Sequence, residues 1–217
     1  GNFGIVGKPA FVWKATDYER DDQGRVIVDK VSGYPTKAAN LGTFGRTMPL
    51  WMVGINPTVS WKGINFSVLA DYKGGHYVYH DLGADMAWTG TSAATARNHR
   101  ERFVLPNSSI LVNGKYEPNT NVTITDVTDF YTGANTFRGI ATNFLTSAAA
   151  WRIREASVSY NLPASLLSNV KFVKGVTVAL TGRNLFLWVP ESNEFSDPDF
   201  NSTSGGNSKR IIDVQIN

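Results

Sequence analysis

Residues 50–72 read Leu50-Trp51-Met52-Val53-Gly54-Ile55-Asn56-Pro57-Thr58-Val59-Ser60-Trp61, then Lys62-Gly63, then Ile64-Asn65-Phe66-Ser67-Val68-Leu69-Ala70-Asp71-Tyr72. Trp51, Val53, Ile55, Pro57, Val59 and Trp61 share one parity; Gly54, Asn56, Thr58, Ser60 and Lys62 share the other. Side chains alternate across a strand, so this spacing predicts a strand over about 50–62, roughly twice the usual soluble length. Lys62-Gly63 supplies a tight turn, with Gly63 free to take positive φ. The return over about 63–72 puts Ile64, Phe66, Val68, Ala70 and Tyr72 on one face. Asn65, Ser67 and Asp71 take the other, with Leu69 the exception. The segment is a long hairpin with one apolar and one polar face.

Working outward, alternation lapses after Tyr72. Residues 73–150 are rich in Gly, Asn and Thr, and contain only short strand-like pieces at 109–112 and 121–125. Asn113-Gly114 reads as a turn. A stretch of this length reads as an elaborate surface loop. A third strand is expected over 151–162, with Ala156, Val158, Tyr160 and Leu162 opposite Glu155, Ser157, Ser159 and Asn161. Pro163 ends it, and 164–169 has room for one helical turn. A fourth strand is expected over 175–185, with Val176, Val178 and Leu180 opposite Thr177 and Thr181. Residues 190–209 again read as loop, and 210–216 as the start of another strand.

One apolar face serves a soluble β-sandwich as well as a membrane barrel. Three details favour the barrel. Trp51 and Trp61 bracket the apolar face ten positions apart, which at a tilt of about 40° spans about 25 Å along a membrane normal. That is the height of a lipid-facing band with an aromatic residue at each interface. Tyr72, Trp151 and Tyr160 join Trp51 and Trp61 as girdle residues, although the opposite parity of Trp151 and Tyr160 assigns them to different faces. Connections also alternate between short (Lys62-Gly63, then 163–174) and long (before 50, 73–150, after 190). The polar faces, finally, carry Asn, Ser, Thr and Gly, as a wet lumen requires. The fold expected is all-β, an antiparallel transmembrane β-barrel fragment with long extracellular loops. A secreted or surface β-sandwich that binds carbohydrate or mediates adhesion is the alternative.

Composition agrees with a surface partly out of water. Only 18% of residues are charged while 12% are aromatic. The net charge of +3 comes without a dense basic run, which argues against nucleic-acid binding. The absence of cysteine excludes disulfides, thiolate metal sites and a thiol nucleophile. No window of 18 apolar residues marks a membrane helix. Gly1-Asn2-Phe3-Gly4 has no signal-peptide character, so the chain is expected to begin inside a longer protein.

Four blocks carry a family resemblance. They are residues 7–35 (Asp17-Tyr18, Asp22-Gln23-Gly24, Val26-Ile27-Val28-Asp29, Gly33-Tyr34-Pro35), Leu69-Ala70-Asp71-Tyr72-Lys73-Gly74-Gly75, the run from Trp151 to Pro163, and Thr181-Gly182-Arg183-Asn184-Leu185-Phe186. In order and approximate spacing they resemble the SusC/RagA-type TonB-dependent transporters across nearly the whole chain. The resemblance implies the last third of a 22-stranded bacterial outer-membrane barrel importing oligosaccharides or peptides. It further implies membrane lipid, a SusD-like surface lipoprotein and TonB as partners, the last through a plug and TonB-binding segment that this chain does not contain. The chain departs from the family at Gln215-Ile216-Asn217, where an aromatic residue usually closes the last strand.

Candidate chemistry is sparse. His76 and His80 lie four apart, but in a strand that is about 13 Å, too far for one ion; His99 has no partner in view. Asp197 and Asp199 lack the later ligands of a calcium loop and read as solvated. No nucleophile motif, phosphate loop or catalytic carboxylate pair is present, so neither enzyme activity, metal nor cofactor is expected. Trp88, Tyr116, Phe130 and Tyr131, as exposed aromatics of the long loop, are the substrate-contact candidates, able to stack on sugar rings. Arg152, Arg154 and Arg183, on strands near the expected interfaces, are read as structural, either snorkelling or pairing with Glu155 and other carboxylates of the polar face.

Overall fold

Tight-turn chemistry and period-two alternation produce long antiparallel strands here, and the computed structural model describes them over residues 1–168, 172–194, 197–200 and 213–216. In chain order the first strands are β1 (Asn2–Phe3), β2 (Val12–Ala15), β3 (Val26–Ile27) and β4 (Gly42–Arg46). β5 (Trp51–Ile55), β6 (Thr58–Trp61) and β7 (Ile64–Gly74) follow. β8 (Tyr77–Tyr79) leads into helix α1 (Asp81–Thr89), then β9 (Ser108–Val112) and β10 (Lys115–Pro118). Helix α2 (Val127–Thr132) and β11 (Leu145–Ser147) precede β12 (Ala150–Asn161). The single turn α3 (Ala164–Leu167), β13 (Thr177–Trp188) and β14 (Asp213–Ile216) come last. The class is all-β, with few and short helices.

Two compact units share the chain. One comprises residues 1–48 and 77–146. Its small sheets run β1-β2-β4 and β10-β9-β3, where the β3–β9 pairing is parallel. Ile124, Phe130 and Tyr131 form its core, with Tyr34, Phe103, Leu105, Val127 and Phe137 packed around them. Residues 73–150, read from sequence as a loop, therefore supply most of a packed core. The loop reading failed because this core is assembled from turns and short helices, which leave no sustained periodicity. Local caps hold those pieces: the Asp126 carboxylate accepts from the Asp129 N–H at the start of α2, 3.0 Å. Asn113 and Gly114 both adopt positive φ and join β9 to β10. Residues 121–125 are not a strand; Thr123 makes a single bridge with Val104.

The other unit spans residues 49–76 and the described residues from 147 onward. Its sheet runs β14-β13-β12-β7-β5 with β6 also on β7, all antiparallel. The strand expected over 50–62 is two strands, broken at Asn56-Pro57. The register nevertheless runs on unbroken, from Ile55 opposite Ala70 to Thr58 opposite Ser67. Pro57 has no N–H to give the ladder, but its carbonyl accepts from Val68 N–H at 3.1 Å. Lys62 (φ 47°) and Gly63 (φ 86°) make the two-residue turn, and a Cβ at Gly63 would sit 3.0 Å from the Asn161 carbonyl. β7 continues two residues past the expected end, and β13 runs three residues past its expected end at Leu185, to Trp188. The helical turn expected over 164–169 ends at Leu167; Asn169 lies outside the described residues, as do 201–209 of the second loop and 210–212 of the last strand.

Candidate functional site: a two-faced sheet

The register across β5, β6, β7, β12 and β13 sorts side chains into two sets. Trp61, Ile64, Tyr160 and Val178 fall in one cross-strand row; Val59, Phe66, Val158 and Leu180 fall in the next. Further along, Ile55, Ala70, Ile153 and Phe186 share a row, and so do Val53, Tyr72, Trp151 and Trp188. Most of this apolar face is exposed: Trp51 keeps 63% of its surface, Trp61 65%, Phe66 46%, Leu180 44% and Trp188 54%, while Val68, Ala70, Tyr72 and Ile153 are half-buried. Soluble monomers seldom leave so large a contiguous apolar area open. A sandwich would cover it with a second sheet, and none lies on it among the described residues.

Aromatic residues mark both ends of this face. At one end Tyr72 and Trp151 sit with ring centroids 4.9 Å apart, and Phe186 stacks on Trp188 at 5.6 Å. At the other end are Trp61 and Tyr160, with the Lys62 ammonium 4.8 Å from the Trp61 ring centroid. The parity argument that separated Trp151 from Tyr160 is corrected by a β-bulge. Ile153 pairs with Ala70 but Glu155 with Leu69, so Arg154 is an extra residue in β12. That one insertion switches the outward parity from odd (Trp151, Ile153) to even (Ala156, Val158, Tyr160). No sequence period announces a bulge, which is why the register was needed.

The opposite face is polar and laddered with hydrogen bonds. Ser67 and Ser157 hydroxyls meet at 2.7 Å, Ser60 donates to Asn65 at 2.7 Å, and Thr177 donates to Asn161 at 2.7 Å. Arg183 donates to Glu155 at 3.1 Å, as expected from sequence.

Beyond the bulge this face carries a charge network. Arg154 chelates Asp71, with Nη2 to Oδ2 at 3.1 Å, and reaches Asp199 at 2.7 Å. Arg152 lies against Asp197 and 3.2 Å from Asp199, while Lys73 holds Asp199 at 3.1 Å. The Arg152 side chain is 5% exposed and that of Asp197 9%. Asp197 and Asp199 are thus not solvated, as the sequence reading expected, but anchors for residues 197–200. Burial pushes the Asp199 carboxyl up, yet the hydrogen bond from Arg154 and the charges of Arg152 and Lys73 outweigh it and hold it below the usual range. His76 Nδ1 is buried without a partner; burial, with Lys73 and Arg152 nearby, pushes its pKa down. No three His, Asp or Glu side chains converge as a metal site among the described residues.

The substrate-contact candidates divide. Trp88 and Tyr116 are exposed, at 56% and 42%. Phe130 (2%) and Tyr131 (8%) are core, which corrects the premise that they lie on the surface. Their rings pack edge-to-face at 4.9 Å and the Tyr131 hydroxyl donates to the Ala94 carbonyl at 2.8 Å. Trp88 carries the Arg138 guanidinium over its ring at 5.5 Å. His80 is buried at 1% exposure.

No protein-family model matches the sequence, and no curated protein matches it. Solved structures do. A chain of the RagAB peptide importer in its closed-closed state is similar over 88% of this chain, at 17% identity and a TM-score of 0.56. The open-open state is similar over 96%, at 18% identity and 0.55, and the RagAB peptide transporter over 96%, at 17% and 0.56. In each case the match covers 21% of the solved chain, so this chain spans about one fifth of the length of those proteins. The shared property is the fold.

Proposed function

We propose that this chain forms part of the wall of a bacterial outer-membrane β-barrel, within a SusC/RagA-type TonB-dependent importer of oligosaccharides, peptides or other bulky nutrients. The observation that carries the reading is the exposed apolar face of β5, β6, β7, β12 and β13, bounded by aromatic residues at both ends. In water such a face is unfavourable at about 25 cal/mol per Å²; against hydrocarbon it is at home, with Trp and Tyr at the headgroups. The hydroxyl and amide ladder of the other face then lines a wet lumen. The fold shared with the RagAB importer supports the same reading.

The role is passage and binding without covalent chemistry. Lipid is the partner of the apolar face, a SusD-like lipoprotein covers the extracellular side, and TonB acts through the plug region of the whole importer. The Lys62-Gly63 turn lies on the periplasmic side, and 73–150 on the extracellular side.

Cysteine labelling tests this cleanly, since the chain has no cysteine of its own. In intact cells producing the full-length protein, a membrane-impermeant maleimide is expected to label Tyr116→Cys and to spare Lys62→Cys until the outer membrane is permeabilised. Equal labelling of both, or recovery of the protein in the soluble fraction, contradicts the proposal.

A further inference from the structure

We infer that the end of the apolar face carrying Trp61 and Tyr160 is a binding site for an anionic glycerophospholipid, with the phosphate on Lys62 and an acyl chain in the groove beside it. The inference rests on the importer reading, which puts that face in lipid and the Lys62-Gly63 turn on the periplasmic side.

The face is not flat here. Ile64, Tyr160 and Val178 of one cross-strand row and Val158 and Leu180 of the next line an open groove of about 680 Å³, and Lys62 lines it too. That volume lies within the roughly 300–1,000 Å³ of small-molecule sites. Each of the five keeps at least 40% of its surface, so the lining is open to a ligand and is not spent on a core. Four of them are aliphatic, and Tyr160 adds a single hydroxyl. A hydrocarbon chain suits such a lining; a sugar or peptide would lose water from its polar groups and gain almost no partners.

Charge selects the headgroup. The Lys62 backbone is left-handed (φ 47°), and its ammonium lies 4.8 Å from the ring centroid of Trp61, an outward residue. The turn is tied to β12, because the Gly63 carbonyl accepts from the Asn161 N–H at 2.8 Å. An indole face holds a cation without neutralising it, which leaves the charge available to a phosphate. The two connections at this end, residues 56–63 and 162–176, contain no Asp or Glu, whereas Lys62 and Lys174 both stand exposed in them. Asp71 and Glu155, the carboxylates of β7 and β12, are engaged by Arg154 and Arg183. Uncompensated cations beside an apolar groove match an anionic headgroup joined to hydrocarbon. A zwitterionic lipid brings an ammonium of its own, which meets both lysines with like charge.

Native mass spectrometry of the full-length protein, extracted from membranes into detergent, tests the site. The probes are phosphatidylglycerol and phosphatidylethanolamine with matched acyl chains, and lipid A. Phosphatidylglycerol adducts are expected to exceed phosphatidylethanolamine adducts by about 5-fold. Lys62→Gln is expected to remove most of that preference, and Lys115→Gln, the same charge change on β10, to leave it intact. Val178→Trp, which fills the groove, should lower both phospholipid adducts alike. Equal adducts of the two phospholipids, a preference for lipid A, or equal effects of Lys62→Gln and Lys115→Gln in a membrane-inserted protein overturn this inference alone. Recovery of the protein in the soluble fraction without detergent overturns the importer reading with it.

Discussion

The two units of this chain use apolar residues in opposite ways. In the unit of residues 1–48 and 77–146, Ile124, Phe130, Ile140 and Phe144 are at most 2% exposed and form an inward core, although single apolar residues such as Val31, Leu41 and Trp88 stay at the surface. In the sheet unit, Val53, Ile55, Val59, Phe66, Val158 and Leu180 are all more than 40% exposed, while Arg152 is buried at 4%. One unit gathers apolar residues into a core; the other carries hydrogen-bonded polar groups on one face of its sheet and a largely open apolar face on the other. Under the proposed function, these two arrangements answer to two different solvents along one chain.

Mutations should separate the two solvents. The largest expected effect is in the inward core: Phe130→Ala destabilises by about 4 kcal/mol, read as lost hydrogen-exchange protection over 124–137. Phe66→Ala, on the face proposed to meet lipid, should leave the exchange of its sheet much less affected. Equal losses at both sites would erase the contrast.

Next comes the charge network. Replacing Asp197 and Asp199 together by Ala strands the buried Arg152 guanidinium and costs about 3 kcal/mol, measured by unfolding of the full-length protein in detergent. Then comes Phe66→Arg, which is expected to destabilise the bilayer-inserted protein by about 2 kcal/mol. Ser60→Arg on the polar face should change it little.

The smallest effect is with pH. Asp199 is depressed in the folded state, so its ion pairs contribute fully above the ordinary carboxylate pKa of about 3.9 and are lost as pH falls through the lower folded value. Proteolysis near residues 197–200 should stay constant down to about pH 5 and rise only at more acidic pH. A rise already at pH 6–7 would contradict this.

The legible part of this fold was the hairpin. Alternation over 51–61 and 64–72, with Leu69 the exception and Lys62-Gly63 between, specified both faces and the turn. Tyr160 and Trp151 were also legible as the aromatic ends of one strand, but not as members of one face, because Arg154 adds a residue that shifts parity. Trp188 and Phe186, half of one aromatic end, escaped notice because Leu185-Phe186-Leu187-Trp188 is apolar at every position and shows no alternation. The carboxylates at 197 and 199 looked solvated because their partners Lys73, Arg152 and Arg154 are distant in sequence. The inward core was hidden for a similar reason: Phe130 and Ile124 lie among turns and short helices, so no period pointed inward.

The central claim is that the apolar parity of β7 and β12 touches hydrocarbon. Single nitroxide labels at positions 64–72 and 151–160 of the full-length protein in bilayers test it, by collision with oxygen against a water-soluble nickel chelate. Oxygen access should peak at 64, 66, 68, 70 and 72, and in β12 at 151 and 153 and then at 156, 158 and 160, with the phase slipping at Arg154. If those positions are instead shielded from both reagents, the face is packed against protein and the account is wrong.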